Sequence, residues 1–157
     1  MRRTRSAIAV LLGLVLVLAG APAASLAAED VEVHPAIAQA LKEIPCGILV
    51  DAEHAVWPRY EMEISVVADR EAAVQSVGSC GTGLICAYSG YGLTTMYATW
   101  GVCGILPAPS AYTMRSLADA RSSGYAQARN GTTVLATAAA GSWSNVYGSV
   151  TNIRCVL

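Results

Sequence analysis

One short segment, closed by two cysteines and rich in glycine and tyrosine, constrains the fold of this chain more than any other feature. Its sequence is Cys80-Gly-Thr-Gly-Leu-Ile-Cys86, followed by Ala-Tyr88-Ser-Gly-Tyr91-Gly92. Two of the five residues between the cysteines are glycines, so a local disulfide closes easily. The tyrosines and glycines that follow are typical of a short strand and a tight turn. The segment therefore predicts a small β-domain cross-linked by a disulfide.

The first 28 residues have the layout of a secretory signal peptide. Three arginines precede an apolar stretch from Ala7 to Ala19, and small residues follow this stretch up to Ala28. The alternative is a membrane anchor, but the apolar stretch has about 13 residues and a spanning helix needs about 20. We therefore expect a secreted, extracellular protein in an oxidising compartment, with no membrane attachment after cleavage.

Charged residues divide the rest of the chain into two parts. Residues 29–71 hold ten acidic and three basic residues, whereas residues 72–157 hold one acidic residue, Asp119, and four arginines. We predict an acidic lead-in of residues 29–78 and a β-domain of residues 79–157. The opposite charges of the two parts favour their docking, although chance asymmetry of solvated faces would give the same distribution. The alternative role for the lead-in is a removable pro-segment. The sparse basic residues argue against a nucleic-acid partner.

Periodicity predicts one short helix followed by many short strands. Ile37, Leu41 and Ile44 form an apolar stripe between two prolines, which is typical of a short amphipathic helix. Strands are predicted at residues 48–50, 56–67, 84–88, 94–99, 124–129, 132–137 and 150–156. Asn130-Gly131 lies between two of them and predicts a hairpin turn. Short strands with frequent turn signals favour a mainly β, Greek-key sandwich preceded by a helix and strand lead-in.

The number of cysteines limits the disulfides. Five is an odd number, so at least one cysteine has no partner within the chain. With Cys80 and Cys86 bridged, Cys103 and Cys155 remain as the natural long-range pair. From the entropy of loop closure, this second disulfide should contribute about 4 kcal/mol to the free energy of unfolding. Cys46 is left over. We favour a buried small hydrophobe at this position, and the alternative is a reactive thiol that links two chains into a dimer.

Candidate catalytic residues are sparse, so we expect a protein without enzymatic activity. The two histidines, His34 and His54, both lie in the lead-in, and the β-domain has one carboxylate side chain. His34 precedes the predicted helix, where it would cap the helix or lie at the surface. His54 follows Asp51 and Glu53; a polar loop is the favoured interpretation of this cluster and a metal site is the alternative.

Residues 80–93 resemble the opening of the secreted bacterial βγ-crystallin-like proteins of the peptidase inhibitor I36 family. The shared pattern is a cysteine, a short loop with glycine, an apolar residue, a second cysteine, and then a tyrosine and a glycine-rich turn. Ala-Arg-Ser at residues 120–122 and Asn-Gly-Thr at residues 130–132 are similar to two further segments of that family. The resemblance covers residues 79–155.

The resemblance implies a βγ-crystallin-like Greek-key sandwich and inhibition of a secreted protease through a rigid loop. That loop would consist of Gly81, Thr82, Gly83, Leu84 and Ile85, because preorganisation favours tight binding. The chain departs from the family pattern, since residues 133–152 contain no cysteine and offer no second bracketed loop. The resemblance therefore supports the family's fold more strongly than its inhibitory activity. The alternative function is that of a non-catalytic structural protein.

The resemblance also implies a possible calcium site, because this fold often binds calcium. The binding motif consists of two Asn or Asp residues, two variable residues, Ser or Thr, and Ser. Residues 118–123 retain Asp119 and Ser122, and residues 144–149 retain Asn145 and Ser149. Calcium binds about six to eight oxygen atoms, some of them charged, and Asp119 is the only carboxylate in these two segments. The four residues are therefore weak calcium candidates, and turn capping is their alternative role. No other cofactor is expected.

Aromatic residues suggest a third hypothesis, a module that binds a cell surface. Tyr88, Tyr91 and Tyr97 lie in the glycine-rich part of the chain and are expected to be exposed. The chain has no phenylalanine, so the three tryptophans and the tyrosines are expected to supply the aromatic core.

Overall fold

Antiparallel strands are the main regular structure of the computed structural model, which describes residues 32–66 and 75–157. The predicted signal peptide lies outside the described residues. The described elements are α1 (Pro35–Glu43), β1 (Ile48–Asp51), β2 (His54–Trp57), a 3₁₀ turn (Pro58–Tyr60), β3 (Met62–Ser65), β4 (Gln75–Val77), β5 (Cys80–Gly81), β6 (Ile85–Tyr88), β7 (Met96–Trp100), β8 (Gly104–Pro107), β9 (Ser116–Asp119), β10 (Tyr125–Asn130), β11 (Thr133–Ala139), β12 (Ser142–Asn145) and β13 (Asn152–Val156). The mainly β class with a short helix before the strands is confirmed. In the described ranges, no helix has the length and apolar character needed to cross a membrane.

Helix α1 is held at both ends. His34 caps its start, because Nδ1 accepts a hydrogen bond from the Ala36 N–H at 3.3 Å. At the other end, the buried indole of Trp57 donates from Nε1 to the Ile44 carbonyl at 2.9 Å. A helix end leaves such carbonyls without partners inside the helix. The indole therefore satisfies one of them and attaches the helix end to the last residue of β2.

The first sheet has seven antiparallel strands in the order β1-β2-β3-β7-β6-β9-β12. Strands of the acidic lead-in join the others through the pairing of β3 with β7, where Ile64 is opposite Ala98. The predicted single strand at residues 56–67 is instead two strands, β2 and β3, separated by the 3₁₀ turn. Pro58 begins this turn because it lacks the N–H that a strand ladder requires.

The second sheet has the order β11-β10-β13-β8, and the two sheets exchange strands. Of the four consecutive strands β6 to β9, three are neighbours in the first sheet in the order β7-β6-β9, while β8 belongs to the second. Of the next four, three are neighbours in the second sheet in the order β11-β10-β13, while β12 belongs to the first. The third strand of each set therefore completes the opposite sheet.

Successive side chains of β6 and β9 point to opposite faces of the first sheet, so these strands contribute to two cores. Ile85 and Leu117 point to the main core, which also contains residues of the second sheet such as Leu106 and Ile153. The opposite face of the same strands carries a smaller outer core, formed by Val77, Cys80, Cys86, Tyr88, Ala118 and Ala120. The hairpin of β4 and β5 contributes to this outer core, so the predicted loop between Cys80 and Cys86 lies on the outer face of the first sheet.

Several aromatic side chains differ from expectation in their exposure. Tyr88 and Tyr97 are 0% and 3% exposed, so the expectation that they lie at the surface is wrong. Both lie on central strands of the first sheet, where both faces are covered. Tyr91 is exposed, as expected. Trp143 is 43% exposed because it lies on the edge strand β12, so the tryptophan core consists of the other two indoles.

Candidate functional site

The predicted inhibitory loop is a tight turn closed by a disulfide. Cys80 and Cys86 are bridged, with their Cα atoms 5.7 Å apart. The Leu84 N–H donates to the Gly81 carbonyl at 3.1 Å, which closes a four-residue turn. Gly83, in the third position of this turn, has a φ of +85°, a conformation that glycine adopts without strain. The loop is therefore a turn and not an extended segment.

Two more backbone hydrogen bonds attach the loop to the end of β9. The Gly83 N–H donates to the Ala120 carbonyl, and the Ala120 N–H donates to the Leu84 carbonyl, both at 2.8 Å. Leu84 is half-buried against the outer core, and Ile85 is buried in the main core. Thr82 and Gly83 are exposed. They form the tip that a partner would meet.

The second disulfide adjoins a buried ion pair that the sequence analysis did not predict. Cys103 and Cys155 are bridged, the same long-range pair that was expected. Arg121 directs Nη1 at both of their sulfur atoms. It also donates from Nε to Asp119 Oδ1 at 2.8 Å and from Nη2 to Asp119 Oδ2 at 2.7 Å. The Asp119 side chain is fully buried and that of Arg121 is 9% exposed, so the pair is desolvated.

Asp119 therefore has both carboxylate oxygens occupied by Arg121. A calcium ion at this position would have to displace the guanidinium. Ser122, the other candidate in this segment, is exposed. Within the part of the chain that the structure describes, no cluster of three or more His, Cys, Asp or Glu side chains is placed to hold a metal ion.

The second pair of calcium candidates lies on and after β12. Asn145 is the last residue of β12, and its Oδ1 accepts hydrogen bonds from the Gly92 N–H at 3.1 Å and from Ser116 Oγ at 3.3 Å. Ser149 is exposed. In the pairing of β9 with β12, Asn145 is opposite Ser116 and Ser142 is opposite Asp119. Asp119 and Asn145 therefore lie at opposite ends of this ladder.

Cys46 is the unpaired cysteine of the described residues, and its thiol is exposed. The favoured expectation of a buried side chain is therefore wrong. Cys46 lies in the turn between α1 and β1 with a φ of +63°, and this turn faces solvent. Exposure leaves the thiol accessible, so a dimer linked through Cys46 stays a hypothesis.

The acidic cluster around His54 forms a hairpin turn. Asp51 Oδ1 accepts a hydrogen bond from the Glu53 N–H at 2.8 Å, which closes the connection of β1 to β2. His54 Nε2 lies 2.8 Å from Glu63 Oε1 on the neighbouring strand β3. The Asp51 carboxylate thus holds the turn, and the His54 imidazole lies against the carboxylate of Glu63 on the adjacent strand.

A stacked pair of tyrosines lies in the main core. The rings of Tyr97 and Tyr112 have centroids 4.5 Å apart and nearly parallel planes. Burial raises the pKa of both hydroxyls, and for Tyr97 the neighbouring Tyr112 raises the pKa further. Both hydroxyls therefore stay protonated over the physiological range.

The loop between Cys80 and Cys86 thus presents an exposed, hydrogen-bonded turn on the outer face of the first sheet. The turn is bounded by the disulfide of Cys80 and Cys86 and attached to the end of β9. Comparisons of the chain with protein-family models, with curated proteins and with solved structures found no match.

Proposed function

We propose that this chain is a secreted, non-catalytic β-protein that inhibits an extracellular peptidase through the loop between Cys80 and Cys86. One observation carries the proposal: a disulfide and three backbone hydrogen bonds hold Thr82 and Gly83 at an exposed tip. A loop that is ordered before binding loses little conformational freedom on binding, which favours tight association. Two disulfides are also typical of proteins in an oxidising, extracellular compartment.

The shape of the tip determines how it would act. A segment that adds to the edge of a peptidase sheet must be extended, so that its backbone groups are available for pairing. Residues 81–84 form a turn whose backbone groups bond to each other and to Ala120. The tip would therefore obstruct the entrance of an active-site cleft without lying in it as a substrate strand does.

We also propose that the fold is a βγ-crystallin-like Greek-key sandwich and that the chain is related to the peptidase inhibitor I36 family. In a Greek key, the fourth strand returns to lie beside the first. Here β9 lies beside β6, and β13 lies beside β10. The exchange of β8 and β12 between the sheets supports the same assignment, because it combines two such sets of strands into one sandwich.

A second candidate function is a structural extracellular protein that binds calcium weakly. The buried pair of Asp119 and Arg121 against a disulfide favours the structural role, because it lies inside the sandwich and serves no binding surface. The same pair disfavours calcium binding at Asp119, because Arg121 occupies both carboxylate oxygens. If the protein binds calcium, its melting temperature should rise with added calcium and fall when the calcium is chelated. A purely structural role predicts no such change.

Titration of the purified, oxidised protein against a panel of secreted metallopeptidases and serine peptidases tests the proposal. Stoichiometric inhibition of at least one enzyme is expected. Thr82→Trp enlarges the tip and should weaken inhibition. Thr132→Trp is the matched control, because Thr132 is exposed in the turn between β10 and β11. Absence of inhibition by folded, uncleaved protein, or an equal effect of both variants, would count against the loop.

A further inference from the structure

Two exposed tyrosines and an arginine form a surface that the proposed function does not use. We call the side chains of Tyr91, Tyr147 and Arg115 the tyrosine platform. The two rings have centroids 5.4 Å apart and planes inclined by 32°, and they are 44% and 66% exposed. The guanidinium carbon of Arg115 lies 5.4 Å from the centre of the Tyr91 ring, and Nη1 donates to the Tyr91 hydroxyl at 3.0 Å. Tyr91 is thus in contact with both Tyr147 and Arg115 at the surface.

The turn that presents Tyr91, residues 89–95, is held in a strained conformation. Ser116 Oγ donates to a backbone carbonyl of this turn at 2.8 Å, and Asn145 Oδ1 accepts from one of its N–H groups at 3.1 Å. Leu93 and Thr95 have φ values of +64° and +56°, which residues with a side chain rarely adopt and which are most unfavourable for a β-branched residue. Such strain clusters at binding sites, where the surrounding structure maintains it.

The platform carries a positive charge without a compensating carboxylate. Among residues 75–157, the only side-chain carboxylate belongs to Asp119, which is buried and paired with Arg121. Among the described residues, the ion pairs join His54 to Glu63 and Arg121 to Asp119, and neither involves Arg115. The adjoining turns also contain small and polar residues, namely Ser89, Gly92, Thr94, Gly148 and Ser149.

We propose that the tyrosine platform binds an acidic polysaccharide. Aromatic faces carry partial negative charge, so they attract the partly positive C–H groups on the face of a sugar ring. Arg115 would bind a sugar carboxylate through two parallel N–H···O bonds, and its contact with the Tyr91 hydroxyl orients the guanidinium for this role. An acidic sugar fits this combination better than a protein does, because protein interfaces surround such anchors with an apolar core and this platform has a polar surround. The site is separate from the loop of the proposed function.

Isothermal titration with an oligogalacturonate, and with a neutral malto-oligosaccharide of equal length, tests this proposal. The wild type should bind the acidic sugar in preference to the neutral one. Tyr147→Ala should weaken binding of the acidic sugar about tenfold, and Arg115→Gln should abolish the preference for it. Arg59→Gln is the matched control, because Arg59 also lies over a tyrosine, 5.6 Å from the Tyr60 ring, and it should bind as the wild type does.

Three outcomes would overturn the proposal: no binding of either sugar by the wild type, equal affinity for both, or full binding by both platform variants. Melting temperatures of all variants show whether a loss of binding reflects unfolding. Tyr147 is two-thirds exposed, so its truncation is expected to leave the fold intact. Because the two sites are separate, a failure of peptidase inhibition leaves this test unaffected.

Discussion

Replacement of Arg121 by methionine tests the buried ion pair most directly. The change removes the group that binds both oxygens of Asp119 and leaves a carboxylate with no solvent exposure and no cationic partner. Loss of one partner from such a pair destabilises a protein by about 3–5 kcal/mol. With a urea dependence of about 2 kcal/mol per molar, a loss of about 4 kcal/mol lowers the unfolding midpoint by about 2 M. Urea unfolding followed by tryptophan fluorescence measures this shift.

Two further variants make the test specific. Arg154→Met is the control, because Arg154 is exposed beside Cys155, and its free energy of unfolding should change by less than about 0.5 kcal/mol. The double variant with Asp119→Asn and Arg121→Met should lose less stability than the sum of the single variants, by about 1 kcal/mol or more. Equal midpoints for Arg121→Met and Arg154→Met, or strictly additive losses, would refute the reasoning.

Three other predictions concern the cysteines and the helix. Replacing both Cys103 and Cys155 by alanine should lower the free energy of unfolding by about 4 kcal/mol, measured in urea, because the bridge spans 52 residues; an unchanged midpoint would contradict this. Cys46 should react with a thiol reagent in the folded, oxidised protein, and a reaction that needs denaturant would show that it is buried. Hydrogen bonds from Ser110 lower the pKa of Glu43, so ionised Glu43 stabilises the fold at neutral pH, and this stabilisation is lost as the pH falls through the lowered pKa. Glu43→Gln should therefore be less stable than the wild type near neutral pH and equal to it in acid, whereas a difference independent of pH would exclude this cause.

Local signals in the sequence predicted the helix and most strands, because those elements carry their own pattern. The Asn-Gly dipeptide marked the turn of β10 and β11, although Asn130 pairs with Thr133, so the turn is centred one residue later than expected. Five strands were missed, namely β4, β5, β8, β9 and β12. β8 begins with glycine and ends with proline, and β9 has the sequence Ser-Leu-Ala-Asp. Neighbouring strands, more than intrinsic propensity, make these segments extended.

The same distinction applies to the candidate site. The two disulfides followed from the number and spacing of cysteines, which leave few pairings. The exposure of Cys46 did not follow, because it depends on where the turn after α1 lies in the folded chain. Asp119 and Arg121 are close in sequence, but the burial of the pair depends on tertiary packing. It arises where the end of β9 meets the disulfide of the second sheet.

At the end of β9, the ion pair is connected to the loop between Cys80 and Cys86. Arg121 contacts Asp119 in the first sheet and the disulfide attached to the second, and Ala120 between them is bonded to the loop in both directions. If the ion pair maintains the position of Ala120, Arg121→Met should accelerate amide hydrogen exchange at Gly83, which donates to the Ala120 carbonyl. Gly131 is the internal reference, because its N–H donates to Thr151 in a turn of the second sheet. Equal acceleration at both amides would indicate a general loss of stability, whereas acceleration confined to Gly83 would show that the charge pair controls the rigidity that the proposed inhibition requires.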